Sequence, residues 1–181
     1  MNENDMNSKL GEFFIKTLQE MYWSEVHLAE VLSTMANVAA SAELKDAFAT
    51  HHEETRHHVE RLENIFEMSG IKAQSRPSLG LQGLFDEGWQ MINETEAGSA
   101  QRDVALIIAA QKAEHYEIAT YGSLVTLAKT LGHKEIANEL KKTLEEEKET
   151  DALLTSIATA GINDEASEEP ASINQYIESN A

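Results

Sequence analysis

Five carboxylates stand where a helical bundle should carry leucine or isoleucine. Glu25, Glu54, Glu114, Glu147 and Asp151 lie on or beside apolar stripes that repeat in steps of three and four residues. A carboxylate moved out of water without a partner costs several kcal/mol or more. The basic residues fall mostly on the opposite, polar faces, so they do not supply that partner. Two bound metal ions would. A dinuclear site in a bundle takes one Glu from each of two helices, and a Glu with a second ligand nearby from each of the other two. Hard divalent ions prefer carboxylate oxygen, and iron also accepts imidazole.

The candidates follow stripe by stripe. The first stripe offers Glu25. The second offers Glu54 with His58 one turn later, or with His57 three residues on. The third offers Glu114 with Glu117, in EHYE, and the fourth offers Glu147 with Asp151. His58 shares its stripe with His51 and Leu62, whereas His57 goes with Glu53, Glu60 and Asn64, so His58 is favoured. Glu147 lies between Leu144 and Leu154 and is preferred to Glu146. A slide of 92 residues lays Glu25 on Glu117 and Leu44 on Ile136, but puts Glu54 on Glu146; a slide of 93 puts it on Glu147. That choice stays open. Tyr22, His51, Gln111 and Tyr121 fall within a turn or so of these positions and are placed to hydrogen-bond the ligands. A single Glu on a stripe commonly reaches water, and a single core His is commonly just hydrogen-bonded. Coincidence on four stripes is what carries the metal reading.

Four long helices must position these residues. The first covers about residues 6–40, with stripe Phe14, Leu18, Met21, Glu25, Leu28, Leu32 and Met35. Ser41 caps the second, which runs to about residue 69 and is stopped by Gly70. Its stripe is Leu44, Phe48, His51, Thr55, His58, Leu62 and Ile65. The third spans about residues 102–131 and ends at Gly132. The fourth spans about residues 134–160 and ends at Gly161. Between the second and third, residues 71–101 hold a short amphipathic helix (Leu81, Leu84, Phe85, Trp89, Ile92) after Pro77. A connection this long suits a crossover from one end of a bundle to the other. The reading is an all-α domain over residues 1–161, a ferritin-like four-helix bundle. Residues 162–181 are acidic and aperiodic, and are expected to form a disordered tail.

Composition narrows the function. The 181 residues carry 14 Lys plus Arg against 32 Asp plus Glu, a formal net charge of −18. Such a surface repels nucleic acid and anionic membranes, and attracts cations. No cysteine is present, which excludes disulfides, thiolate zinc sites and a cysteine nucleophile. No targeting segment or run of membrane-spanning length is visible, so a cytoplasmic protein is expected.

The segments YWSEVHLAEVL, HHEETRHHVERLE, AAQKAEHYEIATYG and TLEEEKETDALLT resemble those of YciF-like proteins. These are bacterial stress-associated members of the ferritin-like superfamily, similar in layout to rubrerythrin. The resemblance covers about residues 8–160. It implies a dinuclear metal centre, a homodimer, and ligands at Glu25, Glu54, Glu114, Glu117, Glu147 and Asp151. Three departures stand out: Thr150, not His, lies three residues after Glu147, similar proteins carry Gln where this chain has His58, and the absence of cysteine removes any rubredoxin-type iron centre. The resulting expectation is a site for two metal ions, iron or alternatively manganese. Oxygen or peroxide would be the substrate of a peroxidase or ferroxidase type reaction under stress. The alternative is a non-enzymatic acidic bundle that dimerises or binds a partner, with its buried carboxylates protonated.

Overall fold

Four of the five principal helices start on a serine whose hydroxyl accepts a backbone N–H three residues on. The computed structural model describes residues 6–171. In it Ser8 caps α1 (Lys9–Val38), Ser41 caps α2 (Ala42–Met68), Ser78 caps α3 (Leu79–Glu94) and Ser99 caps α4 (Ala100–Thr130). Each supplies an acceptor to a helix end that would otherwise leave donors unpaired. The next helix, α5 (Lys134–Ile157), follows a tight turn in which Gly132 takes a positive φ of 84°. There the N–H of His133 reaches back to the Ala128 carbonyl (2.8 Å), and that of Gly132 to Lys129 (3.1 Å). Gly70, at φ 67°, closes α2 in the same way.

The apolar stripes bury into two separate lobes. One holds Leu28, Leu32 and Met35 of α1 with Leu44 and Phe48 of α2, Leu106 and Ala110 of α4, and Leu154 and Ile157 of α5. The other holds Phe14, Leu18 and Met21 with Leu62, Ile65, Tyr121, Leu124, Ile136 and Leu140. Helix direction follows from the order of the lobes along the chain. Going along α1 and α5 the second lobe comes before the first; along α2 and α4 the first comes before the second. So α2 and α4 run the same way, and a chain leaving α2 has to travel the length of the bundle before α4 can begin. Residues 69–99 make that journey, and α3 packs on α4 on the way. The four helices α1, α2, α4 and α5 pack as a bundle.

Two contacts lock the connections. Asp103, on the first turn of α4, is buried and accepts the N–H groups of both Ala40 and Ser41 at 2.7 Å, joining the α1–α2 corner to α4. Arg102 reaches back to the Ile92 carbonyl (2.8 Å) and closes the end of α3.

The expectation for residues 162–181 needs correction where those residues are described. A wide turn at Ala158–Ile162, non-helical at Gly161, leads into α6 (Asn163–Glu168). Ile162 is buried, and the Glu169 carboxylate accepts from Ala100 N (2.7 Å) and Gln101 N (3.0 Å). The start of α4 presents free N–H groups and the positive end of its dipole, so an acidic segment docks there. Residues 172–181 lie outside the described residues. No helix among the described residues is long and apolar enough to cross a membrane.

Asp103→Ala removes two charge-assisted bonds at once and leaves the N–H groups of Ala40 and Ser41 without their acceptor. It should lower unfolding free energy by about 3 kcal/mol, read from urea denaturation, while leaving the helical circular dichroism of the folded state intact.

Candidate metal centre

Between the two lobes lies a polar layer. Glu25 of α1, His51, Thr55 and His58 of α2, Glu114 and Glu117 of α4, and Glu147 and Thr150 of α5 are all buried there. They share a height because each sits near the middle of its own helix, between the residues that fill the two lobes.

The donors form two groups that share one residue. In one, Glu25, His58 and Glu147 bring ligand atoms within 4.8 Å of one another; in the other, His51, Glu114 and Glu147 do the same. His58 Nδ1 lies 3.1 Å from Glu147 Oε1 and 3.5 Å from Glu25 Oε2. On the other side His51 Nε2 lies 3.1 Å from Glu114 Oε1 and 3.8 Å from Glu147 Oε2. Yet Glu25 Oε2, His51 Nε2, His58 Nδ1, Glu114 Oε2 and both oxygens of Glu117 and of Glu147 have no hydrogen-bond partner. Buried polar atoms are nearly always paired. Here they crowd together at ion-pair distance, as donors around shared central points do.

The outer atoms of the layer are held. His58 Nε2 meets Glu146 Oε2 at 3.0 Å, and Arg61 grips the same carboxylate through two contacts of 2.6 and 3.1 Å while also donating to Thr143 Oγ1 at 2.6 Å. This carboxylate–imidazole arrangement orients a ring so that its other nitrogen faces inward. Tyr121 donates a short hydrogen bond to Glu25.

Electrostatics follow from this crowding. Burial pushes the Glu117 carboxyl well above its ordinary range, and the neighbouring charges of Glu25, Glu147 and Glu114 push the same way. Burial likewise lifts Glu147 to about 8, against the pull of His58 and with the push of Glu114 and Glu25. Burial alone would lower both imidazoles. The adjacent Glu25 reverses this for His58, and Glu114 does so for His51, leaving both well above the usual histidine range. His58, with Arg61, holds Glu146 down to about 2. Burial, followed by Glu25, raises Tyr121.

Of the residues singled out from the sequence, Glu25, His58, Glu114, Glu117 and Glu147 come together. His51 joins them as a potential ligand rather than as a supporting neighbour. Its spacing of seven from His58, two turns on one stripe, was the signal for that. Glu54 and Asp151 do not join. Glu54 lies at the edge of the α2 stripe, with its side chain 43% exposed, and reaches only His51, at 3.5 Å. Asp151 sits on the α4–α5 seam, where Gln111 donates to it at 3.1 Å and the exposed His115 lies 3.5 Å away. Gln111 therefore orients a carboxylate outside the layer. Tyr22 turns outward and donates to Glu63 at 2.8 Å, away from the layer. Glu146 and Glu147 separate cleanly: Glu147 faces inward and Glu146 faces Arg61. His57 is exposed. The Glu146–Arg61 pair escaped the sequence reading, because a salt bridge between two helices has no local spacing.

The donor set suits a metal. Four buried carboxylates (Glu25, Glu114, Glu117, Glu147) carry, when ionised, the charge that two divalent cations balance. Their oxygens with two imidazole nitrogens suit iron or manganese, and nothing here is soft enough to select copper(I).

A helical bundle whose buried imidazole–carboxylate layer is able to hold metal ions is the class this architecture defines. The chain belongs to the family described as a domain of unknown function, DUF892, which matches residues 9–167. Protein YciF of Escherichia coli (strain K12) is 42% identical over 163 residues, covering 89% of this chain and 98% of that one. The crystal structure of the E. coli stress protein YciF superposes with a TM-score of 0.81 at 41% identity, over 86% of this chain and 98% of that one. YcfI from Rhodopseudomonas palustris, described as a candidate structural protein, gives a TM-score of 0.80 at 30% identity, over 82% of this chain and 94% of that one.

Two outcomes test the layer. Glu117, Glu147, His51 and His58 all hold protons more tightly folded than unfolded, so metal-free protein is stabilised by them below the carboxylates' ordinary value of 4.5. Glu147's share of that stabilisation is lost as pH rises from 4.5 through about 8, where the folded carboxyl ionises, and the two histidines begin to give up theirs above 6.5. Thermal melts of chelator-treated protein should therefore fall between mildly acidic and mildly alkaline buffer, and bound divalent metal should flatten the decline. Separately, Glu146→Gln frees His58 from its anchor and should weaken metal affinity by about 10- to 100-fold, measured by competition with a chelating dye.

Proposed function

We propose that this chain is a ferritin-like dinuclear metal protein, holding two iron ions, with manganese as the alternative, for redox defence under stress. The observation that carries the reading is the pair of buried donor groups hinged on Glu147. Glu25, His58 and one Glu147 oxygen would hold the first ion; His51, Glu114 and the other Glu147 oxygen would hold the second. Glu147 would then be shared between the two ions, and Glu117, with both oxygens unpaired and buried, would complete the set. The up-down-down-up order of the four helices, with one long crossover, agrees with the ferritin-like assignment.

A bound ferrous pair supplies two electrons, enough with two protons to take peroxide to water or oxygen to peroxide. The protein's share is geometric and electrostatic. The two apolar lobes keep water from the layer, which strengthens every interaction inside it. Carboxylate-rich ligation stabilises the more highly charged oxidised ions. Tyr121 pins Glu25, and Arg61 through Glu146 pins His58, so that the donors are in place before the ions arrive. Glu146, with its side chain 37% exposed, gives the layer a route by which protons reach it from solvent. The reductant that resets the pair would be an external partner, since the chain has no cysteine-bound iron centre of its own. The likeness to a stress protein supports the physiological setting, and a cytoplasmic homodimer is part of the same proposal.

The second reading is non-enzymatic. The raised affinities of Glu117, Glu147, His51 and His58 for protons allow the layer to neutralise itself without metal, as a bundle with a purely structural or partner-binding role would need. YcfI, with its structural description, favours this alternative.

Metal analysis separates the two. Protein exposed to ferrous iron without oxygen and then desalted should retain about two ions per chain, with protons released to the buffer on binding. Glu147→Gln should lose both ions and stay folded. Full metal content in that variant would remove the assignment, and a metal-free wild type would leave the structural reading standing.

A further inference from the structure

A small pocket of about 30 Å³ lies within the first lobe, between α1, α3 and α4. Leu32, Phe85, Trp89, Leu106 and Ala110 form much of its wall, and every lining residue but one is apolar or glycine. The exception is Glu114, which belongs to the His51–Glu114–Glu147 donor group. Trp89, 36% exposed, marks the solvent side. The crossover helix is therefore more than a connection: it supplies the outer wall of a chamber whose inner end is a candidate ligand.

We propose that this pocket is the entry and docking site for molecular oxygen, an inference that rests on the dinuclear reading above. Size and polarity both select that occupant. About 30 Å³ accommodates a diatomic molecule and leaves no room for an organic substrate of any length. Apolar cavities stay dry and take up small apolar guests. Peroxide entering it would give up its hydrogen bonds to water with nothing in exchange, at a cost of several kcal/mol. Oxygen has no such bonds to lose. The pocket thus makes the site discriminate between the two oxidants: oxygen through the apolar lobe, peroxide through the polar edge near Glu146 and Glu54, both partly exposed.

Crystals of metal-free protein pressurised with oxygen should show a diatomic guest against Leu106 and Ala110, and Ala110→Leu should abolish it. With ferrous iron loaded, Ala110→Leu should slow oxidation by oxygen several-fold while oxidation by peroxide stays at the wild-type rate. Gly88→Ala is the milder variant. A methyl there meets Ala109 Cβ at 3.5 Å, an ordinary contact, so the fold tolerates it and the same asymmetry should appear in smaller degree even where Ala110→Leu fails to fold. An empty pocket under oxygen pressure overturns the proposal, and so do oxygen and peroxide rates that change together or not at all. Metal content is measured on every sample. A wild type that binds no iron overturns the dinuclear reading and this one with it, whereas an iron-loaded protein with indifferent oxygen kinetics overturns the pocket alone.

Discussion

Six ionisable side chains buried in one layer, with too few hydrogen bonds to go round, are the constraint on which the rest of this structure depends. Glu25, His51, His58, Glu114, Glu117 and Glu147 leave at least one polar atom each without a partner. A layer of this kind is costly, and the two apolar lobes that flank it are what hold it in place. Those lobes are independent cores, each with contributions from all four bundle helices. Together they clamp the layer from above and below, so its geometry is set by packing and not by the polar groups' own preferences.

That clamp explains features that otherwise look incidental. The ordering of lobes along each helix forces α2 and α4 to run in the same direction, hence the crossover. The crossover in turn brings Ser78, Gly80 and Phe85 against α4, with the Ser78 hydroxyl 2.8 Å from that of Tyr116. Gly80 lies so close to Tyr116 that a Cβ would stand 2.7 Å from its ring. Asp103 then fixes the corner where the first hairpin meets the second. Together these contacts set the height at which the helices meet.

The layer is also asymmetric in how it meets solvent. Toward α5 and the outer face of α2, Arg61 and Glu146 form a charged shell behind His58. Toward α1 and α3 the wall is carbon, interrupted only by Glu114. Under the proposed dinuclear reading, one polar and one apolar approach would let the site treat two oxidants differently without any moving part. The same arrangement stores instability, because a group that binds protons or cations tightly is one that the bare fold tolerates poorly. Stability is given up in the middle of the bundle, and binding of protons or metal ions there would restore it.

Much of this was readable from periodicity. Steps of three and four placed the four bundle helices, Gly70 and Gly132 marked two of their ends, and Ser41 marked a start. The same stripes put Glu25, His58, Glu114 and Glu147 among core positions, because a residue's face depends only on its own helix, and Glu117 followed as the second carboxylate of EHYE. Tertiary structure alone decided what depends on two helices at once. Glu54 and Asp151 sit at stripe edges, where the tilt of a neighbour determines whether a side chain is covered, and both stay partly outside. Tyr22, one residue past Met21, turns toward Glu63. Glu146 became an anchor only because Arg61 arrives from another helix, and Glu169 became a cap only because α4 begins beside it. Local spacing encodes the direction in which a side chain points; only the packed fold determines what it meets there.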